Sequence, residues 1–388
     1  MAPRRGPPAL DPAPALAALD PAAWPTPRVI VDRARLAGNI RRVQDIADRA
    51  GLRLRPHAKT HKSVAIARQQ VSAGAVGVTV AKPGEAQVFV EAGIPSVLLA
   101  YPVVEPFRID ALLEAVRGQG TELLCMADRT EGAIALAAAA ARHGMELPVL
   151  VKVDVGLGRL GVDPAGPAAV DLAGTIVRAP HLRFGGIMSH AGQAYAAPGR
   201  DEVAAIAEEE RRTMLAVRDR LLAAGLPVPV VSVGSTPTVL AQRDFGGLTE
   251  VRPGNSVFLD GTALRLGIAA AAEVALWVLA TVVGHGPRHA IVDAGSKVLS
   301  SDLGAHGSGA PGYGWAFPVL GGPPLFVERL SEEHGWLRMD GAPPPVGSRV
   351  AVLPNHACPV ANLTDLLTLV GGGEPPMDIP VDARGRVR

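Results

Sequence analysis

Cysteine is nearly absent from this chain: Cys125 and Cys358 are the two among 388 residues. They lie far apart, which argues against a disulfide framework and for a reducing compartment. An excess of one charge is lacking as well, since 38 basic side chains face 37 acidic ones for a net charge of +1. That balance gives no field to recruit nucleic acid or an anionic membrane, so the expected partner is a small molecule. No apolar run is long: Val274 to Val283 is about half of what a bilayer-spanning helix needs. The stretch from Met1 to Pro27 lacks the unbroken apolar core of a signal peptide, because Asp11 and Asp20 interrupt it. These absences predict a soluble, cytoplasmic protein with a disordered tail over residues 1–25.

What is present is an alternation. With 48% hydrophobic residues the chain can bury one large domain and a smaller one. Asp32 is placed to cap a helix in which Leu36, Ile40, Val43 and Ile46 recur at three- and four-residue spacings, with Gly51 closing it. Short strands rich in Val, Ile and Leu then alternate with helical stretches. The expected strands begin at Leu52 and continue at Val76–Ala81, Ser96–Tyr101, Glu122–Ala127, Pro148–Asp154, Leu182–His190, Val228–Gly234 and Thr249–Arg252. About eight such units suggest an α/β fold of the (β/α)8 TIM-barrel type over residues 26–260. The competing doubly wound sheet loses its best support, because the first strand-to-helix turn has no G-x-G-x-x-G pattern.

In a barrel of this kind the chemistry sits on loops after the C-terminal ends of the strands. Lys59 follows strand one in Arg55-Pro56-His57-Ala58-Lys59-Thr60-His61-Lys62, where Pro56 ends the strand. Burial beside other cations would disfavour a lysine's charged form and free its amine for Schiff-base chemistry; a solvated basic loop is the simpler alternative. Arg159 follows strand five, and His190 ends strand six with Gln193 and Tyr195 just beyond. The turn Gly234-Ser235-Thr236-Pro237-Thr238 follows strand seven. It can turn backbone N–H groups and hydroxyls toward a phosphate, and it equally fits an ordinary helix cap. Arg252-Pro253-Gly254-Asn255 could complete that cup. His57, His61 and His190 fit core or rim positions without a reactive role, and Cys125 inside an apolar strand reads as a packed thiol.

Beyond Asp260 the rhythm changes. Apolar runs at Glu273–Val283, Ala290–Asp293 and Arg349–Leu353 are separated by stretches dense in Gly and Pro, which reads as a smaller β domain over residues 261–388. The Gly-rich stretch Gly304 to Gly314 is expected to be functional or mobile. In Leu353-Pro354-Asn355-His356-Ala357-Cys358-Pro359, an extended backbone would put imidazole and thiol on one side. The pair suits zinc, with positions left for water and substrate; a structural turn remains the alternative, and a Cys–His nucleophile pair is disfavoured by that same backbone.

Taken together, these blocks resemble the D-serine dehydratase and D-threonine aldolase family, along with Asp293-Ala294-Gly295-Ser296-Lys297 and Leu330-Ser331-Glu332-Glu333-His334. The likeness spans Pro25 to Leu363. It implies a pyridoxal 5'-phosphate barrel similar to alanine racemase, a β domain carrying a divalent metal, and a homodimer. Lys59 would attach the cofactor, Arg159 would face the pyridine nitrogen, and Gly234, Ser235 and Thr236 would hold the phosphate. His190 and Tyr195 would be further cofactor contacts. His356 and Cys358 would bind the metal, Zn2+ by ligand softness with Mn2+ or Mg2+ as alternatives, and the metal would act on the substrate hydroxyl. The aldolase branch is characterised by His-x-Asp at this position, so His356-Ala357-Cys358 favours the dehydratase branch. The expected reaction converts a D-3-hydroxy amino acid, D-serine first, to a 2-oxo acid and ammonia. Aldol cleavage of D-threonine or D-3-hydroxyaspartate, dehydration of D-threo-3-hydroxyaspartate, and a non-catalytic cofactor carrier are the alternatives. The carrier is disfavoured by the second domain.

Overall fold

A computed structural model describes residues 24–388, so most of the expected tail lies outside the described residues. The chain divides into two compact units. One comprises residues 41–194 and 200–254 with the last four residues; the other gathers 195–199 and 255–384 together with the residues up to 40.

The first strand, β1 (Arg28–Asp32), belongs to the second unit, and helix α1 (Arg33–Arg49) leads on from it. Asp32 caps α1 as expected, its Oδ1 accepting the Arg35 N–H at 3.0 Å. The alternating elements follow: β2 (Arg53–Leu54), α2 (Val64–Ser72), β3 (Val78–Val80), α3 (Pro83–Glu91), β4 (Ser96–Leu99), α4 (Pro106–Val116) and β5 (Glu122–Ala127). After them come α5 (Thr130–His143), β6 (Leu147–Lys152), α6 (Ala168–Arg178), β7 (Leu182–Met188), α7 (Arg200–Ala223), β8 (Val231–Val233), α8 (Thr236–Ala241) and β9 (Glu250–Val251). Each expected strand has its counterpart.

These strands form one 8-stranded sheet in the order β2-β9-β8-β7-β6-β5-β4-β3, with parallel pairing throughout. The two edges meet. Beyond β2, His57 bridges Thr79 of β3 in parallel, and the Thr79 N–H donates to the Pro56 carbonyl at 2.8 Å. The sheet therefore closes into the (β/α)8 barrel that the alternation predicts. Register shifts between Phe184 and Gly186 of β7, and Gly186 has φ +117°, where a Cβ would meet the Val230 carbonyl oxygen at 2.1 Å. Only glycine allows that close approach.

Unlike a barrel filled only by aliphatic layers, this one buries charge. Arg55, Glu210, Glu250 and Arg252 are each 4% exposed or less. Leu98, Leu124, Met126, Leu150, Met188 and Val230 form a buried apolar cluster in the same unit.

The second unit is built on a 9-stranded sheet. Its remaining members are β10 (Leu276–His285), β11 (His289–Val292), β12 (Gly314–Pro318), β13 (Leu325–Leu330), β14 (Gly335–Arg338), β15 (Arg349–Pro354), β16 (Leu366–Val370) and β17 (Met377–Pro380). The N-terminal strand sits inside this sheet, β1 pairing antiparallel with β10 and parallel with β16. Its helices are short: α9 (Gly261–Arg265), α10 (Ser296–Leu299) and α11 (Ala357–Asn362). The β-rich character expected here is present. Among the described residues no helix is long and apolar enough to cross a membrane.

Candidate active site and metal pair

Lys59 sits where β2 gives way to a single 3-10 turn, Ala58–Thr60. The turn is fixed from several sides. His57 accepts the Lys59 N–H on Nδ1 at 3.4 Å, and its own N–H donates to the Pro253 carbonyl at 3.0 Å. Lys62, at φ +50°, is paired with the buried Glu85 at 3.3 Å. Burial, reinforced by the charges of Lys59, Arg252 and His61, holds the His57 imidazole well below its usual range. Burial likewise brings His61 down to about 4, against hydrogen bonds from Gln70 and Ser63 that raise it. Both rings are therefore neutral at pH 7.

Because the strands are parallel, the loops after β2, β6, β7, β8 and β9 leave the same end of the barrel. Gly234 follows β8 with φ +101°, where a Cβ would meet Val239 Cγ2 at 2.6 Å. Ser235 then caps α8 through a box with Thr238: the Ser235 N–H reaches Thr238 Oγ1 at 2.8 Å, and the Thr238 N–H reaches Ser235 Oγ at 3.4 Å. The Thr236 hydroxyl accepts the Gly254 N–H at 3.2 Å. Gly254 in turn lies against the lysine turn, where a Cβ would meet Thr60 Oγ1 at 2.9 Å and the His57 carbonyl oxygen at 3.1 Å. Lys59, Gly234, Ser235 and Thr236 are thus gathered through Gly254, which the sequence suggested only as part of a cup.

Two arginines stand differently. Arg252 is buried, with Nε donating to Ser232 Oγ at 2.7 Å and Nη2 bonded to the Ser189 carbonyl. Arg159 is exposed on a loop ordered by Asp154, whose carboxylate accepts the N–H groups of Gly156, Leu157 and Gly158. His190 is half-buried after β7, and Gln193 donates its amide to the Val155 carbonyl at 2.7 Å, latching the Arg159 loop. Tyr195 groups with the β unit instead. It stacks on His306 at 5.1 Å between ring centres, and its carbonyl accepts from Arg265.

Two groups escaped the sequence reading. Lys152, 7% exposed at the end of β6, shares a strand face with Leu150. Burial pushes its amine well below the usual range, the charges of Arg252 and Arg159 add to this, and Glu210 and Asp154 oppose it. A lysine inside the apolar run Pro148-Val149-Leu150-Val151-Lys152 was the available signal. Glu210 of α7 accepts the Ser189 hydroxyl at 2.7 Å and the Gly234 N–H at 3.3 Å. Nothing in that charged helix sets it apart.

In the β unit, the His-x-Cys segment is not extended throughout. His356 has extended φ and ψ of −141° and 106°, whereas Cys358 lies inside α11. Coiling of the backbone at the helix start brings the two side chains within hydrogen-bonding reach, which an extended strand would not do. The block is anchored by buried Asp260, whose carboxylate accepts the N–H groups of Ala357 at 2.9 Å and Ala263 at 3.1 Å and the Asn255 amide at 2.6 Å. On its other side, His356 Nδ1 meets Asp302 Oδ2 at 2.7 Å. Burial disfavours charge on His356, but the charge of Cys358, the bonds to Asp302 and Cys358, and Asp260 outweigh it and lift the imidazole to about 10. An imidazole and a sulfur converging beside a carboxylate fit a divalent ion as two of its ligands. Among the described residues no set of three or more His, Cys, Asp and Glu side chains is gathered for a metal.

Residues 31–261 match the alanine racemase N-terminal domain family, and residues 275–370 match the serine dehydratase domain. The chain is 40% identical to D-threo-3-hydroxyaspartate dehydratase of Delftia sp. (strain HT23), over 86% of this chain and 90% of that enzyme. It is 32% identical to 3-hydroxy-D-aspartate aldolase of Paracoccus denitrificans, over 96% and 95% of the two chains. The solved structure of the Delftia dehydratase superposes with a TM-score of 0.86 at 36% identity, covering 94% of this chain and 98% of that one. A cysteine-to-alanine variant of a D-threo-3-hydroxyaspartate dehydratase, with a TM-score of 0.85 at 36% identity, has been solved in a metal-free form. D-threonine aldolase and D-serine dehydratases are also among the relatives. The chain belongs to the alanine racemase N-terminal domain family, joined to a serine dehydratase domain, and is a lyase of that pyridoxal-phosphate-dependent group.

Proposed function

We propose that this lyase is a dehydratase of a D-3-hydroxy amino acid, releasing a 2-oxo acid and ammonia. The observation that carries the reading is the His356–Cys358 pair: a soft sulfur donor stands where the aldolase branch is expected to have a carboxylate. When bound, pyridoxal phosphate supplies the electron sink that acidifies Cα, and a divalent ion supplies a Lewis acid for the leaving hydroxyl. The residues do the rest. Lys59 Nζ anchors the cofactor and is the proton carrier at Cα. Gly234, Ser235 and Thr236, braced by Gly254, bind the phosphate. Arg159, from its exposed loop, and the buried Arg252 are the guanidiniums available to the ring. His190 and Tyr195 are further contacts, and His356 and Cys358 bind the metal, zinc by their softness.

D-serine is the first substrate, with pyruvate as product. Dehydration of D-threo-3-hydroxyaspartate is the second reading, favoured by the 40% identity to a dehydratase of that compound. The protein is assigned to the cytoplasm, in keeping with two cysteines that form no disulfide, and the family resemblance makes it a homodimer. Product analysis with D-serine, D-threonine and both 3-hydroxyaspartate stereoisomers tests the proposal. Ammonia with pyruvate or oxaloacetate is expected, and chelation should stop turnover while the cofactor stays bound. Glycine as the main product would overturn dehydration, and activity surviving complete metal removal would overturn the metal's part.

A further inference from the structure

The carboxylate behind His356 is built in more firmly than a surface ion pair requires. Asp302 Oδ2 lies 2.7 Å from His356 Nδ1. Its second oxygen, Oδ1, accepts the Gly304 N–H at 3.1 Å, and the Asp302 N–H donates to Ser300 Oγ at 3.1 Å. Both carboxylate oxygens thus have an assigned partner. The loop that carries it is bent to do so. Ser300 and His306 adopt φ of +63° and +53°, and at Gly304, with φ +156°, a Cβ would meet Ser308 Oγ at 2.2 Å.

The ligand segment is tied to the same loop. Asn355, the neighbour of His356, donates its side-chain amide to the carbonyls of Leu303 at 3.2 Å and Gly312 at 2.9 Å. The Asn355 carbonyl is itself held by the Thr262 hydroxyl at 2.7 Å. Loop 300–312 and the His-x-Cys block are therefore fixed side by side, with Asp302 against the ring nitrogen facing the loop. An imidazole that donates Nδ1–H to a carboxylate presents Nε2 as its lone-pair donor, with its orientation set by that bond.

We propose that Asp302 is a positioning residue for metal binding, fixing His356 in the tautomer that offers Nε2 to a divalent cation, with loop 300–312 serving to deliver that carboxylate. This rests on the assignment of His356 and Cys358 as metal ligands. The Gly-rich stretch between Gly304 and Gly314 thereby acquires a role: it shapes the second layer around the metal.

The test uses the cofactor-loaded protein stripped of metal and titrated with Zn2+ against a chromophoric chelator, with a parallel Co2+ titration in which thiolate-to-metal absorption reports Cys358. Asp302→Ala should weaken Zn2+ binding by roughly 10–100-fold. Asp302→Asn, which keeps an acceptor without the charge, should lose less, on the order of threefold to tenfold. The absorption of the cofactor bound at Lys59 should be unchanged in both, which a general collapse of the fold would not allow. Zn2+ affinity within twofold of the parent in Asp302→Ala, or in Asp302→Asn where the alanine variant does not fold, would overturn the proposal. Zn2+ binding unaffected by His356→Ala would instead remove the metal assignment itself, and Asp302's role with it.

Discussion

Arg55 and Glu250 form an ion pair at 3.0 Å, with each side chain 2% exposed. The pair is the centre of a longer chain of bonds. Arg55 also donates to Ser96 Oγ at 2.6 Å, and Glu250 accepts the Ser232 hydroxyl at 2.7 Å; Ser232 in turn accepts from Arg252. Arg252 reaches the Ser189 carbonyl, and the Ser189 hydroxyl reaches Glu210, which also accepts the Gly234 N–H. The strand that delivers Lys59 is thus wired through the barrel to the turn assigned to the phosphate. Removing one member leaves an uncompensated charge in a dry interior, so Arg55→Met should cost about 3–5 kcal/mol in urea unfolding. The double substitution with Glu250→Leu should recover part of that loss. A cost below about 1 kcal/mol for the single variant would mean that water screens the pair.

Gly234 tests the phosphate turn. Its φ is +101°, and a Cβ there would stand 2.6 Å from the Val239 methyl, which leaves room for no side chain. Gly234→Ala forces the turn to shift, at about 1–3 kcal/mol of backbone strain. Since about 1.4 kcal/mol is tenfold in affinity, the cofactor should be retained roughly 5- to 150-fold less tightly. Equilibrium dialysis of the apoprotein with pyridoxal phosphate reads this directly. Unchanged affinity would take Gly234 out of the cofactor site.

The barrel was legible because its elements are local. Each short apolar strand is followed by its own helix, and the chemistry-bearing turns at His57 to His61 and at Gly234 to Thr238 are marked by Pro, Gly and hydroxyl residues. Long-range pairing was not legible: β1 falls within the expected barrel span of residues 26–260, yet it pairs with β10 and β16, which lie far along the chain. Strands β12, β13 and β14 were hidden among Gly and Pro. At the site, Lys59, His356 and Cys358 stand out by type and spacing, whereas Lys152, Glu210 and Asp302 acquire meaning from partners distant in sequence. No periodicity announces a carboxylate that caps a turn on another element.

His61 sets a pH dependence of stability. Its folded imidazole titrates near 4, against an ordinary value of 6.5, because it is buried. Between those values the unfolded chain binds a proton that the folded chain does not, so stability is full above pH 6.5 and falls as pH drops toward 4. The contribution at stake is about 3 kcal/mol. Urea denaturation at intervals from pH 7 to 4.5 should show the decline, and His61→Gln should make it shallower, His57 supplying what remains. Parallel curves for parent and variant would sink this account.

Two buried or half-buried lysines bear on the cofactor, and they can be told apart. Lys152 is 7% exposed, and burial disfavours the charged form of its amine, so on amine chemistry alone it is a competitor for the aldehyde. Lys59 has the better position. Its turn is held by Pro253 and His57 and lies against Gly254, which bonds the Thr236 hydroxyl of the phosphate turn. In the proposed site, attachment would be set by where the phosphate is held. Lys59→Ala should lose the visible absorption of the covalent cofactor while still binding pyridoxal phosphate, and added methylamine should restore part of that absorption. Lys152→Ala should keep it. Borohydride reduction followed by peptide mass spectrometry identifies the modified residue, and a cofactor reduced onto Lys152 in either the parent or the Lys59 variant would reverse the assignment.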